Sequence, residues 1–205
     1  MQRWKALALA GVVAILCAAC GNSGIPNGVI VNTPALVPKL IHTSDFPGGW
    51  SKDQSFFDGE ATGASPSCLS GAANLDSAVQ HAAVAYQAQS SLPLFFESLG
   101  LFKSGKSLGV ISKVADILNS CRHFSFTVNG QSFRAQVGSL NFPQVGNASS
   151  SLSVVFKGQV ISFVCNIVLV STGDYGVTLG MFQLGSINAT QFEDLVEAAL
   201  QRLST

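Results

Sequence analysis

Asn129-Gly130 stands between two runs in which apolar and polar residues alternate, and few conformations satisfy both features at once. Asn-Gly adopts the positive φ angles of a type I′ turn, whose twist matches that of an antiparallel strand pair. With the turn at that dipeptide, Phe126 falls opposite Phe133 and Phe124 opposite Ala135, so the apolar side chains of both strands share one face. Residues 124–137 are therefore expected to form a β-hairpin.

The rest of the chain extends this pattern. Residues 150–156, 159–171 and 175–184 read as further strands, joined by turns at Lys157-Gly158 and Thr172-Gly173-Asp174. The middle one is apolar on both sides, which places it centrally in a sheet. Residues 51–57, after the turn signal Pro47-Gly48-Gly49 and Trp50, read as a first strand, and the Ala-rich stretch 74–89 as another because Ala82, Val84 and Tyr86 alternate with their neighbours. Leu108, Ile111, Val114, Ile117, Leu118 and Cys121 share one helical face, which predicts a helix over 107–120. Phe192, Leu195, Val196, Ala199, Leu200 and Leu203 make the stripe of a C-terminal helix, opened by Asn188 with Gln191 three residues on. Short connections favour antiparallel pairing. The expected fold is α+β, a twisted antiparallel sheet with two main helices packed on one face.

The N-terminus speaks to location. Arg3 and Lys5 precede an apolar run over residues 6–19, and the small Ala18 and Ala19 lead directly into Cys20. This is the order of a lipoprotein signal peptide over 1–19, cut before a Cys20 that then carries acyl chains such as palmitate. Three places before Cys20, where such signals usually hold Leu, stands Cys17, but a cut before Cys17 would follow the bulky Leu16 and fits less well. The run is shorter than the roughly 20 residues of a membrane-spanning helix, and no later segment qualifies. Residues 20–38, rich in Gly, Asn, Pro and Val, read as a flexible tether, and 39–205 as one domain at the extracytoplasmic face of the cell membrane. Loss of Arg3 and Lys5 turns 11 basic and 11 acidic residues into 9 and 11. Such a chain has no basic stripe for nucleic acid, and its membrane attachment must come from lipid, at about 0.8 kcal/mol per buried methylene.

Two motif matches raise enzymatic readings. Gly100 to Ser107 spells Gly-Leu-Phe-Lys-Ser-Gly-Lys-Ser, the pattern of a phosphate-cradling loop, but the parallel strands and helical crossovers that such a loop serves are missing from the pattern. Gly105-Lys106-Ser107-Leu108-Gly109 matches the nucleophile elbow of serine hydrolases, with Asp116 and then His123 following in hydrolase order. The same lack of a parallel scaffold speaks against it, so Ser107 is expected to be dispensable. His42, His81 and His123 are far apart, and Asp53, Asp58, Glu60, Glu97, Asp116, Glu193, Asp194 and Glu197 make no acid/base pair, so neither metal nor cofactor is expected. The 14 Phe suit a packed core, or a cavity for an amphipathic lipid.

Ser44-Asp45-Phe46-Pro47-Gly48-Gly49-Trp50, then Cys68, Tyr86 in an apolar strand, Asn119-Ser120-Cys121 at a helix end and Leu200-Gln201-Arg202-Leu203 at the last helix resemble a group of actinobacterial lipoproteins. More distantly, residues 40–205 are similar to the extracytoplasmic sensor domain of mycobacterial membrane Ser/Thr kinases. That resemblance implies an antiparallel sheet with helices, a cleft and two disulfides; Cys68, Cys121 and Cys165 match three of the four cysteine places, and the fourth is absent from 175–184. With Cys20 acylated, Cys68 in its Ser/Gly/Pro loop is expected to bridge to Cys121 at the helix end. Cys165 stays a buried thiol on the face shared with Ile161, Phe163, Ile167 and Leu169. The expected function is non-catalytic binding of an envelope ligand or partner protein, with an exported serine hydrolase using Ser107 and a carrier of amphipathic lipid as the alternatives.

Overall fold

Strand alternation and a single helical crossover account for the architecture. The computed structural model describes residues 32–53, 56, 68, 78–89, 92–128 and 131–204; the signal peptide expected over 1–19, Cys20, Asp58, Glu60 and the Asn129-Gly130 dipeptide lie outside them. The described strands are β1 (Trp50–Lys52), β2 (Gln80–Ala88), β3 (Leu94–Leu101), β4 (His123–Val128), β5 (Gln131–Ser139), β6 (Ala148–Lys157), β7 (Ser162–Thr172) and β8 (Tyr175–Leu184). They form one sheet in the order β1-β2-β3-β8-β7-β6-β5-β4, every pair antiparallel. Two meanders meet where β8 returns to pair with β3. Between them helix α1 (Ser107–Ser120) carries the chain from the middle of the sheet to its far edge, packing across β5 to β8 on the way.

The hairpin holds the expected register, with Phe126 opposite Phe133 and Phe124 opposite Ala135. α1 occupies the expected span, though its buried stripe is Val110, Ile111, Val114, Ala115 and Leu118, and Leu108 is left about half exposed. Helix α2 (Ala189–Leu203) buries Phe192, Leu195, Val196 and Ala199, and the Asn188 side chain accepts the Gln191 N–H at 3.2 Å. This side-chain cap satisfies one of the four donors a helix start leaves open.

The expectation that both helices share a face is corrected. Cys165, Ile167 and Leu169 of β7 pack with α1, whereas the alternate residues Val168 and Val170 pack with α2. A central strand that is apolar on both sides exposes two faces, and one helix covers each. Strand β3 was not expected at all; Phe96 on one side and Phe95 and Leu99 on the other are fully buried.

The core beneath α1 is built from rings. Phe96 is stacked with Phe56 at 5.6 Å and tilted against Phe182 at 5.8 Å, and Phe56 meets Phe182 edge to face at 6.4 Å. Phe96 lies across Gly180, its partner on β8, where any side chain would collide with its ring. The Cys68–Cys121 disulfide joins the loop before β2 to the end of α1, and Cys165 is a fully buried free thiol.

Candidate functional site

The stretch expected to be a free tether as far as residue 38 is docked from Asn32 onward. Asn32 uses its side-chain amide as a strand would use a peptide unit: Oδ1 accepts the Ala83 N–H at 2.7 Å and Nδ2 donates to the Ala83 carbonyl at 3.2 Å. The Thr33 N–H donates to the His81 carbonyl at 2.8 Å. Further along β2, the N–H of Asp53 reaches the Ala85 carbonyl and β1 pairs with Tyr86 to Ala88. The outer edge of β2, otherwise a row of open peptide groups, is thus largely occupied. From this edge residues 32–46, here called the strap, cross the α2 side of the sheet through two short 3-10 turns, Val37–Lys39 and Thr43–Asp45. Leu36, Leu40, Ile41 and Phe46 are buried, and the Phe46 ring lies 4.5 Å from that of Tyr86 and 4.9 Å from that of Trp50.

Under the strap sits Glu97, at the centre of β3 and wholly buried. Its backbone neighbours are Val84 and Leu179, so nothing in the sheet offers it a charge. Oε2 accepts the Ile41 N–H at 2.7 Å, while Oε1 has no hydrogen-bond partner. The Tyr86 hydroxyl donates to the Ile41 carbonyl at 3.2 Å, so one strap residue is held at both its polar ends. Burial pushes the Glu97 carboxyl up to about 8, and the Ile41 N–H and the more distant Arg202 only partly offset this. The acid is therefore predominantly neutral at pH 7. Burial also raises the Tyr86 hydroxyl above its usual value.

A second tie fastens the strap to α2. Arg202 Nε and Nη2 donate to the two carboxylate oxygens of Asp45 at 2.6 and 2.9 Å, a bidentate fork. Asp45 also accepts the His42 N–H at 2.8 Å, closing the cap of its own 3-10 turn. The Arg202 fork holds the Asp45 carboxyl below the usual carboxylate range. Ordering a strap of this length costs more conformational entropy, at about 1–2 kcal/mol per residue, than its four buried side chains return at about 1.5–3 kcal/mol each, so these polar ties contribute to keeping it seated. The site is a buried carboxylic acid, a phenol and an ion pair arranged around the strap. Glu97 appears among the scattered carboxylates of the sequence; the signal that marks it is a lone acid inside Leu94-Phe95-Phe96-Glu97-Ser98-Leu99.

The enzymatic readings of Ser107 find no geometry. Ser107 is 1% exposed, its hydroxyl donates to the Gly173 carbonyl at 2.7 Å, and it shares a 3.0 Å hydrogen bond with Ser171. His123 lies beyond the other end of the 14-residue α1, about 20 Å away at about 1.5 Å rise per residue. Asp116 and His123 are both exposed on the surface. The phosphate-loop pattern fares no better, because its Gly105 N–H already binds the Asp174 carboxylate at 3.2 Å and its strand runs antiparallel to both neighbours. A negative side chain at the loop's donor repels phosphate rather than receiving it. Phe95, Phe96, Phe182 and Phe192 pack in the two cores at 0–1% exposure, so core packing accounts for these four rings. Among the described residues no three His, Cys, Asp or Glu side chains stand together as a metal site, and no helix is long and apolar enough to cross a membrane.

Neither a protein-family model nor a curated protein matches the chain. Among solved structures, the extracellular domain of PknH from Mycobacterium tuberculosis is similar, with a TM-score of 0.48 and 9% identity over 85% of this chain and 75% of that one.

Proposed function

We propose that this chain is an extracytoplasmic, lipid-anchored domain that binds a ligand or partner protein of the cell envelope and carries out no catalysis. The observation that carries this reading is the Cys68–Cys121 disulfide, a bond that persists in oxidising compartments outside the cytoplasm. The basic, apolar and small-residue order of residues 1–19 leading to Cys20 supports the same address and supplies the anchor. Ser107, the one candidate nucleophile in a motif, is sealed in the fold and supports a non-catalytic role. The sensor-like resemblance of residues 40–205 makes ligand or partner binding the job such a domain would perform.

Native mass spectrometry of the protein extracted from its own membrane tests the binding half of the proposal. A discrete mass that co-purifies and leaves on denaturation is the expected result. An apo mass throughout, together with stoichiometric labelling of a serine by a fluorophosphonate, would replace the proposal with a hydrolase.

A further inference from the structure

We propose that Glu97 is a proton-operated latch for the N-terminal strap: protonated, it keeps residues 32–46 seated on the sheet, and ionised, it lets them lift away. The geometry rests on three observations. Glu97 is fully buried at the middle of β3, on the face of the sheet where strap and α2 residues pack. Among the described residues its one hydrogen bond is to the strap, from the Ile41 N–H at 2.7 Å, and its other oxygen has no partner. A neutral acid tolerates that single bond, but a carboxylate needs several donors or water, and lifting the strap, which holds its one donor, would admit water.

The charged and titratable groups around Glu97 set the direction. Asp45 and the exposed His42 come from the strap, Tyr86 from β2 and Arg202 from α2; β8 contributes only Leu179 opposite it. Among the described residues Arg202 is the cation that acts on the acid, and its Nε and Nη2 both donate to Asp45. An ionised Glu97 therefore competes with Asp45 for Arg202, which loosens the second tie as it breaks the first. Proton loss at one atom acts on both fastenings of the same segment.

What the latch would do rests on the anchored reading. The strap is the direct continuation of residues 20–31, so unseating it lengthens the tether by roughly fifteen residues, about 50 Å when fully extended at about 3.3–3.6 Å per residue. It also uncovers the apolar face formed by Ala82, Val84, Phe95 and Leu99. The latch itself does not depend on acylation, so the two ideas fail separately.

Hydrogen exchange read by mass spectrometry on the full chain in detergent provides the test, with each rate divided by its intrinsic rate at the same pH. Between pH 6 and pH 9.5, protection of peptides from residues 33–46 is expected to fall about tenfold or more, while β7, β8 and α1 keep theirs. In Glu97→Gln, which keeps an acceptor for Ile41 but cannot ionise, the strap's dependence on pH disappears. Wild-type strap protection that stays flat over this range overturns the proposal whether or not the variant folds. So does an equal fall in the folded Glu97→Gln protein, or a fall shared by the whole sheet.

Discussion

The Ile41 N–H donates to Glu97 Oε2 at 2.7 Å across 56 residues of sequence, which joins the strap to the middle of the sheet. The bond places an ionisable group where no counter-charge touches it, and this makes stability depend on pH in a definite direction.

Glu97 has a folded value of about 8 against an ordinary 4.5, so its protonated form favours the fold. Its contribution is complete below about pH 4.5, declines as pH rises and is gone above about 8, on the order of 5 kcal/mol in all at about 1.4 kcal/mol per unit. Asp45 acts in the opposite sense: its carboxyl lies below its ordinary 3.8, so its contribution holds at neutral pH and is lost as pH falls through that lowered value. Burial keeps His81 below its ordinary 6.5, which adds stability above that pH. Urea midpoints of wild type and Glu97→Gln at pH 5, 6.5 and 8 isolate the Glu97 term. Wild type is expected to lose ground to the variant steadily from pH 5 to 8; a constant difference contradicts the assignment.

Ser107→Ala is expected to cost about 1–3 kcal/mol, because the Gly173 carbonyl and the Ser171 hydroxyl lose a buried partner. Denaturant titration checks the loss. Fluorophosphonate treatment of folded wild type should leave Ser107 unlabelled, and stoichiometric labelling lost in the mutant would show that the seal around it opens.

Gly180→Ala is expected to destabilise by about 3 kcal/mol or more. The new methyl meets Phe96, whose ring is fully buried and held between Phe56 and Phe182, so it has nowhere to turn. Thermal unfolding of Gly180→Ala beside Gly48→Ala, where a Cβ meets nothing within 4 Å, separates the clash from the general effect of losing a glycine. Equal melting temperatures for the two would refute it.

Reduction of Cys68–Cys121 is expected to lower stability by about 4 kcal/mol in the chain-entropy account, given a separation of 53 residues. Comparing denaturant midpoints of oxidised and reduced protein measures it. Cys165 should resist alkylation until the protein unfolds, since burial pushes its thiol well above the usual value and hides it from reagent.

Where sequence signals were local and periodic they were legible. Asn129-Gly130 with its flanking alternation is enough to obtain the β4–β5 register, and the 3.6-residue period delimits α1 and α2. β3 escaped because both its faces are buried, and a strand without alternation carries no period to read. The placing of the helices failed for a related reason. Residues 159–171 announce two apolar faces, each of which needs a cover, and one shared side leaves Val168 and Val170 open to water. The strap was hidden because its buried residues, Leu36, Leu40, Ile41 and Phe46, are spaced by turns rather than by any regular element. Glu97 and Arg202 could be seen as residues but not as neighbours of the strap, since the contacts that unite them with residues 41–45 span 56 and 157 positions.

We propose an exported chain held to a membrane by acylated Cys20, and the intact mass of the protein recovered from the membrane fraction of its native cells tests this most directly. The predicted result is a chain that begins at Cys20, carries at least two acyl groups and moves to the soluble fraction, or persists as uncut precursor, in Cys20→Ala. A mass that begins at Met1 with no lipid, in a wild-type protein found in the cytoplasmic soluble fraction, would contradict it.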